Sequence, residues 1–314
     1  ERQVEGLWAA AVAQINANQS PVFAIDIASG IHSDSGQVLG CAIQADATMS
    51  FIGLKMGMFT GAGKAASGQI SFDSLAVPAK VYANEILSAA RITWNKTKQS
   101  VPERNVDSHK GAFGHVLIIG GDHGMGGAGL MAAKAALRSG AGLVTLACRA
   151  EHCSAVLSSQ PEIMCHAVDS AKDLQPLLEK ASVIAIGPGL GRTNWGKSLF
   201  DEIQACACPC VVDADALYFL RQQLSVRENR IITPHPGEAG MLLAKSNQEI
   251  QQNRFLLAYL KYLPYVHGQI EALIEFGDGL YAARGVTLLE KQTANLLTPP
   301  QALDDQAQAW AIRH

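Results

Sequence analysis

Four short apolar runs from residue 115 onward all end in loops of one kind. They lie in His115–Gly121 (HVLIIGG), Ala181–Gly191 (ASVIAIGPGLG), Pro209–Leu217 (PCVVDADAL) and Asn229–Glu238 (NRIITPHPGE). Each is rich in β-branched residues, is closed by glycine, acid or proline, and leads towards a stretch of helical character. Strands separated by helices pair in parallel through crossovers, so the expectation is an α/β fold with a mainly parallel sheet. In such a sheet the loops after the strands gather on one edge, where ligands bind. Upstream, residues 22–30, 46–55 and 68–78 read as three more strands, and 94–111 as a linker between two domains.

Composition narrows the function classes. The 314 residues are 48% hydrophobic and 17% charged with a net charge of −3, which gives no electrostatic reason to expect nucleic acid or an anionic membrane as partner. No apolar run reaches membrane-spanning length, and the opening Glu1-Arg2-Gln3-Val4-Glu5 lacks the pattern of a signal peptide. Seven scattered cysteines point to reduced thiols and a cytoplasmic setting. Cys206, Cys208 and Cys210 form a local cluster, but no second Cys or His pair with zinc spacing follows it, so a strand start is the expected reading.

The loops carry the chemistry. Gly124-Met125-Gly126-Gly127-Ala128-Gly129 satisfies the glycine pattern by which a backbone approaches a phosphate at a helix N-terminus. A dehydrogenase would place an acid at the next strand end, where Arg149 stands instead, so an anion- or ligand-approach loop is the better reading. The glycines of 187–191 free backbone N–H groups for a nest, with an ordinary turn as the alternative. Asp213 and Asp215, two apart, would point the same way on an extended strand end, or else cap a helix starting near Ala216. Pro234 and Pro236 hold His235 rigidly at the end of a strand, with Glu238 opening the next helix.

In this order, SHKG (108–111), IIGGDHG, GAGL, AALRSGAGLV, IAIGPGLG, VVDADAL and ITPHPGEA resemble the NAD(P)H-hydrate dehydratase family of the ribokinase-like superfamily. PVFAIDIASGIHSDSGQVLG, ADATMSFIGLKMGMFTGAGK and GQISFDSL resemble the carboxyl half of NAD(P)H-hydrate epimerase, and the two are fused in this order in bacterial bifunctional repair enzymes. The resemblance implies a Rossmann-like half-domain over 1–92, a linker over 93–106 and a ribokinase-like domain over 107–314, with the family match reaching about 257. It implies a lyase and isomerase that repairs hydrated NADH or NADPH. An ADP-dependent (or ATP-dependent) dehydration of the (S) hydrate would be joined to an epimerase needing K+, with Mg2+ as a candidate ion.

By the same resemblance the hydrated cofactor meets Ala128, Gly129, Gly189 and His235 in the dehydratase part and Asp26 in the epimerase part. Ser29 matches a potassium ligand, although Ala28 replaces the proline usual there. Two family segments do not appear. The epimerase NNGGDG-type loop has no counterpart, and residues 258–314 contain neither a KGxGT nor a GGxGD motif. The nearest string, Phe276-Gly277-Asp278-Gly279, reads as a turn, so no catalytic residue is assigned, the chain is expected to be incomplete at both ends, and its activity is in doubt. A ribokinase-like small-molecule kinase and a non-catalytic remnant stay open as alternatives, as does assembly into a homo-oligomer.

Overall fold

The computed structural model describes residues 2–83, 85, 90–91, 94, 103–223, 229–252, 272–276 and 279–283. The chain divides into two compact units. One comprises Glu1–Thr93 with Asn247–Pro264 and Glu275–His314, and the other Trp94–Ser246 with Tyr265–Ile274.

In the first unit a helix, Gly6–Ala17, precedes strands β1 (Phe23–Ile25), β2 (Ala47–Phe51) and β3 (Gln69–Asp73). They pair in parallel in the order β1-β2-β3. Two of these strands stop short of the runs read from the sequence because the residues beyond them turn left-handed. Asp26 has φ 71° and Ile52 φ 64°, a region that extended backbone cannot cross. The core is small-residue packing around Val12, Ala24, Ala28, Ile31, Ile43 and Ala66. Alternation along β1 buries Ala24 and turns Phe23 and Ile25 outward, 61% and 72% exposed. A two-residue strand, β4 (Ala90–Arg91), also belongs here.

The second unit carries β5 (His115–Ile119), β6 (Leu143–Cys148), β7 (Met164–Ala167), β8 (Val183–Ile186), β9 (Cys210–Val212) and β10 (Arg230–Ile232). They form one six-stranded sheet in the order β10-β9-β8-β5-β6-β7, every pair parallel. Both faces are covered, as a parallel sheet requires. On one face Ile118, Val144, Leu146 and Cys148 pack with Ala133 and Val156 from the helices Gly126–Arg138 and Ala150–Ser159. The residues alternating with them, Leu117, Ile119, Ile184 and Ile186, are fully buried on the other. The first helix closes at Gly140, which takes φ 102°. The chain winds outward from β5 to β7, then returns to β8 and winds the other way to β10, which makes the gap between β5 and β8 a topological switch point. Two later strands, β11 (Ala272–Phe276) and β12 (Gly279–Ala283), follow, and β12 pairs antiparallel with β4.

Candidate functional site

At the switch point the loops after β5 and β8 are stitched backbone to backbone. The Gly121 N–H donates to the Pro188 carbonyl at 3.2 Å and the Asp122 N–H to the Gly189 carbonyl at 2.7 Å. Gly189 sits at φ 64°, and a Cβ there would stand 2.6 Å from the Met125 carbonyl oxygen and 3.2 Å from the Ala128 Cβ. Only glycine both adopts that conformation cheaply and leaves the room. Ala128, Gly129 and Gly189 are therefore brought together. Gly129 is buried, and a side chain there would meet Leu146 at 2.9 Å, so it is also where the helix lies down on the sheet. The helix begins at Gly126, which puts three of the four patterned glycines in its first turn rather than in the loop.

One buried carboxylate holds this pair of loops from beneath. Asp122, 3% exposed, accepts from Arg149 Nε at 2.8 Å and from Thr193 Oγ1 at 2.9 Å. Burial pushes its carboxyl up, but the bonds from Arg149, the His123 backbone and Thr193 outweigh that and hold it below the usual carboxylate range. The Arg149 guanidinium lies 4.3 Å over the Trp195 ring. The residue that stands where a dehydrogenase would have its acid thus neutralises the loop.

The next loop joins through Asp215, whose Oδ2 accepts from the Gly191 N–H at 3.0 Å. Arg192 reaches the same carboxylate, Nε to Oδ1 3.4 Å, and lies 5.0 Å over the Tyr218 ring. Asp213 and Asp215 are not on extended strand, as one reading of the sequence had it. β9 ends at Val212, Ala214 takes φ 47° and ψ −125°, and the helix starts at Asp215. A non-glycine residue in that conformation stores strain.

His235 closes the row after β10. It is the N-cap of the helix Pro236–Leu243: its Nδ1 accepts from the Gly237 N–H at 3.0 Å, while Glu238 accepts from the His235 N–H at 2.9 Å. With Nδ1 accepting in the capping box, the neutral ring carries its hydrogen on Nε2, which lies 3.3 Å from Glu238 Oε1. Burial raises the Glu238 carboxyl, and Asp213 and Asp215 push it the same way, while His235 pulls it down.

In the first unit Asp26 ends β1. Its carboxylate is paired with the Lys55 ammonium and accepts from the Phe51 N–H at 3.0 Å. Lys55 also donates to Ser50 Oγ and the Phe51 carbonyl, each at 3.1 Å. Ser29 is exposed, and its carbonyl accepts from the Ile43 N–H at 2.9 Å. An exposed hydroxyl on such a turn suits a hard cation that takes oxygen ligands. Sequence reasoning missed Lys55, Asp122 and Thr193, whose partners lie across loops. The Phe276–Gly279 string was read as a turn, and its centre, Gly277-Asp278, lies outside the described residues.

Comparison with known proteins bears on what these loops hold. The family model for NAD(P)H-hydrate dehydratase matches residues 116–263, and one described as YjeF-related protein N-terminus matches 1–57. The bifunctional NAD(P)H-hydrate repair enzyme of Coxiella burnetii is 46% identical over 244 residues, 78% of this chain and 50% of that protein. This chain is a homologue of the bifunctional NAD(P)H-hydrate repair enzymes. The Escherichia coli repair enzyme is 41% identical over 239 residues, 76% of this chain and 46% of that protein. The homologue spans about half the length of the curated relatives it matches. Among solved structures, the ADP/ATP-dependent NAD(P)H-hydrate dehydratase from Bacillus subtilis, co-crystallized with ATP/Mg2+, matches with TM-score 0.51 and 25% identity, over 63% of this chain and 70% of that one. A hypothetical protein from Streptococcus mutans matches with TM-score 0.52 and 28% identity, over 62% and 71%. The α/β class with parallel sheets is the one expected from the strand ends. Among the described residues no helix is long and apolar enough to cross a membrane.

Proposed function

We propose that this repair-enzyme homologue binds hydrated NAD(P)H, as the (S) epimer, along the rim formed by the loops after β5, β8, β9 and β10. The observation that carries the reading is the switch point itself. Two glycine turns lie hydrogen-bonded side by side there, and their backbone can come against a pyrophosphate without side chains in the way. Ala128 and Gly189 form the floor, Gly129 seats the helix whose N-terminus faces the phosphates, and His235 meets the substrate from the β10 end. In the first unit Asp26, fixed by Lys55, binds the substrate of the epimerase reaction, and Ser29 supplies an oxygen ligand to K+.

The reaction we assign is ADP-dependent or ATP-dependent dehydration. The nucleotide phosphate, with Mg2+ as its counter-ion, makes the ring hydroxyl a leaving group. The elimination needs a general base, which in the family resemblance belongs to a GGxGD segment with no counterpart in residues 258–314. Binding and turnover therefore separate cleanly in the test. Calorimetric titration of the full chain with hydrated NADPH is expected to give a saturable isotherm that Gly189→Val abolishes and His235→Ala weakens. An unchanged isotherm in both variants would remove the rim from the site. Recovery of NADPH absorbance on adding ADP and Mg2+ then reports whether the elimination step survives; binding without recovery assigns the chain a substrate site alone.

A further inference from the structure

The β6–helix–β7 crossover of the second unit gathers three cysteines that the proposed site does not use. Cys148 is the last residue of β6, Cys153 lies in the first turn of the helix Ala150–Ser159, and Cys165 is the second residue of β7. The register sets Leu146 opposite Cys165, so Cys148, two residues beyond Leu146, points to the same face. That face is the one on which the crossover helix packs, and it brings Cys153 down onto the other two. The Cys148 and Cys165 sulfurs are 3.5 Å apart and those of Cys165 and Cys153 3.4 Å, with all three within 4.8 Å of one another.

We propose that Cys148, Cys153 and Cys165 are a binding site for a single soft, thiophilic cation of the copper(I) type. A point equidistant from three sulfurs so spaced lies roughly 2.0–2.4 Å from each, against about 2.3 Å for a metal–thiolate bond such as that of zinc, so ligation needs no rearrangement of the backbone. Among the described residues no histidine or carboxylate joins the three. A structural zinc takes four ligands and calcium or magnesium takes oxygens, whereas three sulfurs in an apolar wall suit a soft ion of low coordination number. Val156, Ile163 and Leu146 supply that wall. Cys148 is fully buried while Cys153 and Cys165 are partly exposed, which leaves an entry path.

Each thiol that ligates must release its proton to solvent, so uptake is expected to strengthen as pH rises. The more conspicuous trio in the sequence does not converge in this way: Cys208 turns its sulfur to the Ala181 carbonyl at 3.5 Å.

The test is a competition titration of the full, reduced chain with copper(I) against a chromogenic copper(I) chelator, without oxygen. One equivalent is expected to pass to the protein. Cys153→Ser and Cys165→Ser are each expected to lose that competition, while the Cys206→Ser/Cys208→Ser double variant keeps it. X-ray absorption of the loaded wild type needs no variant to fold, and is expected to show three sulfur neighbours and no nitrogen or oxygen. Failure of the wild type to compete, loss in the double variant instead, or a two-sulfur first shell would each overturn the proposal.

Discussion

Replacing Asp122 by Asn tests whether one buried carboxylate holds the rim from below. In the folded chain it accepts from Arg149 at 2.8 Å and from Thr193 at 2.9 Å. A hydrogen bond to a charged group contributes about 1.5–3 kcal/mol, and one between neutral groups about 0.5–1.5. Asn keeps the shape but downgrades both bonds, so the cost works out at roughly 2 kcal/mol. Deleting the carboxylate as Ala would cost more, by leaving the partly buried Arg149 charge without its carboxylate. In a unit of roughly 150 residues each kcal/mol moves Tm by about 2–4 °C, so Asp122→Asn is expected to lower it by roughly 4–8 °C. The pH dependence is the sharper check. The folded pKa is depressed, so the carboxylate's stabilisation is complete above its unfolded value of about 3.9 and is lost as pH falls through the folded value. The difference between wild type and variant should be full at about pH 7 and should close as acidification carries the pH below the unfolded value of about 3.9 and through the lower folded one. Urea unfolding followed by Trp195 fluorescence, with Trp8, Trp94 and Trp310 replaced by Phe, isolates this unit. A cost that is equal at both pH values, or nil at both, refutes the reasoning.

Three other outcomes follow from the same geometry. Gly189→Ala forces a Cβ to within 2.6 Å of the Met125 carbonyl at φ 64°, and is expected to cost about 2 kcal/mol or more and to speed hydrogen exchange at the Gly121 and Asp122 amides. Glu238→Gln removes a carboxyl whose folded pKa is raised. The stability that carboxyl contributes is present below about pH 4.3 and lost as pH rises through its folded value, so the variant's Tm is expected to hold steady across that range while the wild type's falls. With its thiol at about 11, Cys153 is expected to alkylate slowly near neutral pH and about tenfold faster per pH unit above it, a slope that peptide mass spectrometry can follow.

The strand ends were legible because β-branched runs closed by Gly, Asp or Pro depend on local backbone rules alone. Hence the β5, β8, β9 and β10 loops were placed correctly and the helix stop at Gly140 was read, whereas the helix starts at Gly126, inside the stretch that reads as a glycine loop. What escaped depends on strand order, which no local window contains. The Asp122–Thr193 bond spans 71 residues and the Asp26–Lys55 pair 29, and each exists only because parallel pairing sets those loops side by side. The same blindness put attention on Cys206, Cys208 and Cys210, adjacent in sequence, while the trio that meets in space is drawn from β6, its crossover and β7. The turn at Ala214 was hidden for another reason, since alanine gives no sign of a positive φ.

The outward-facing Phe23 and Ile25 have a practical consequence. β1 is an outer strand of its sheet, so two greasy side chains stand beside a row of main-chain groups able to recruit a further strand. Concentrated preparations should scatter light increasingly with time, and a lysine at position 25 should suppress the growth.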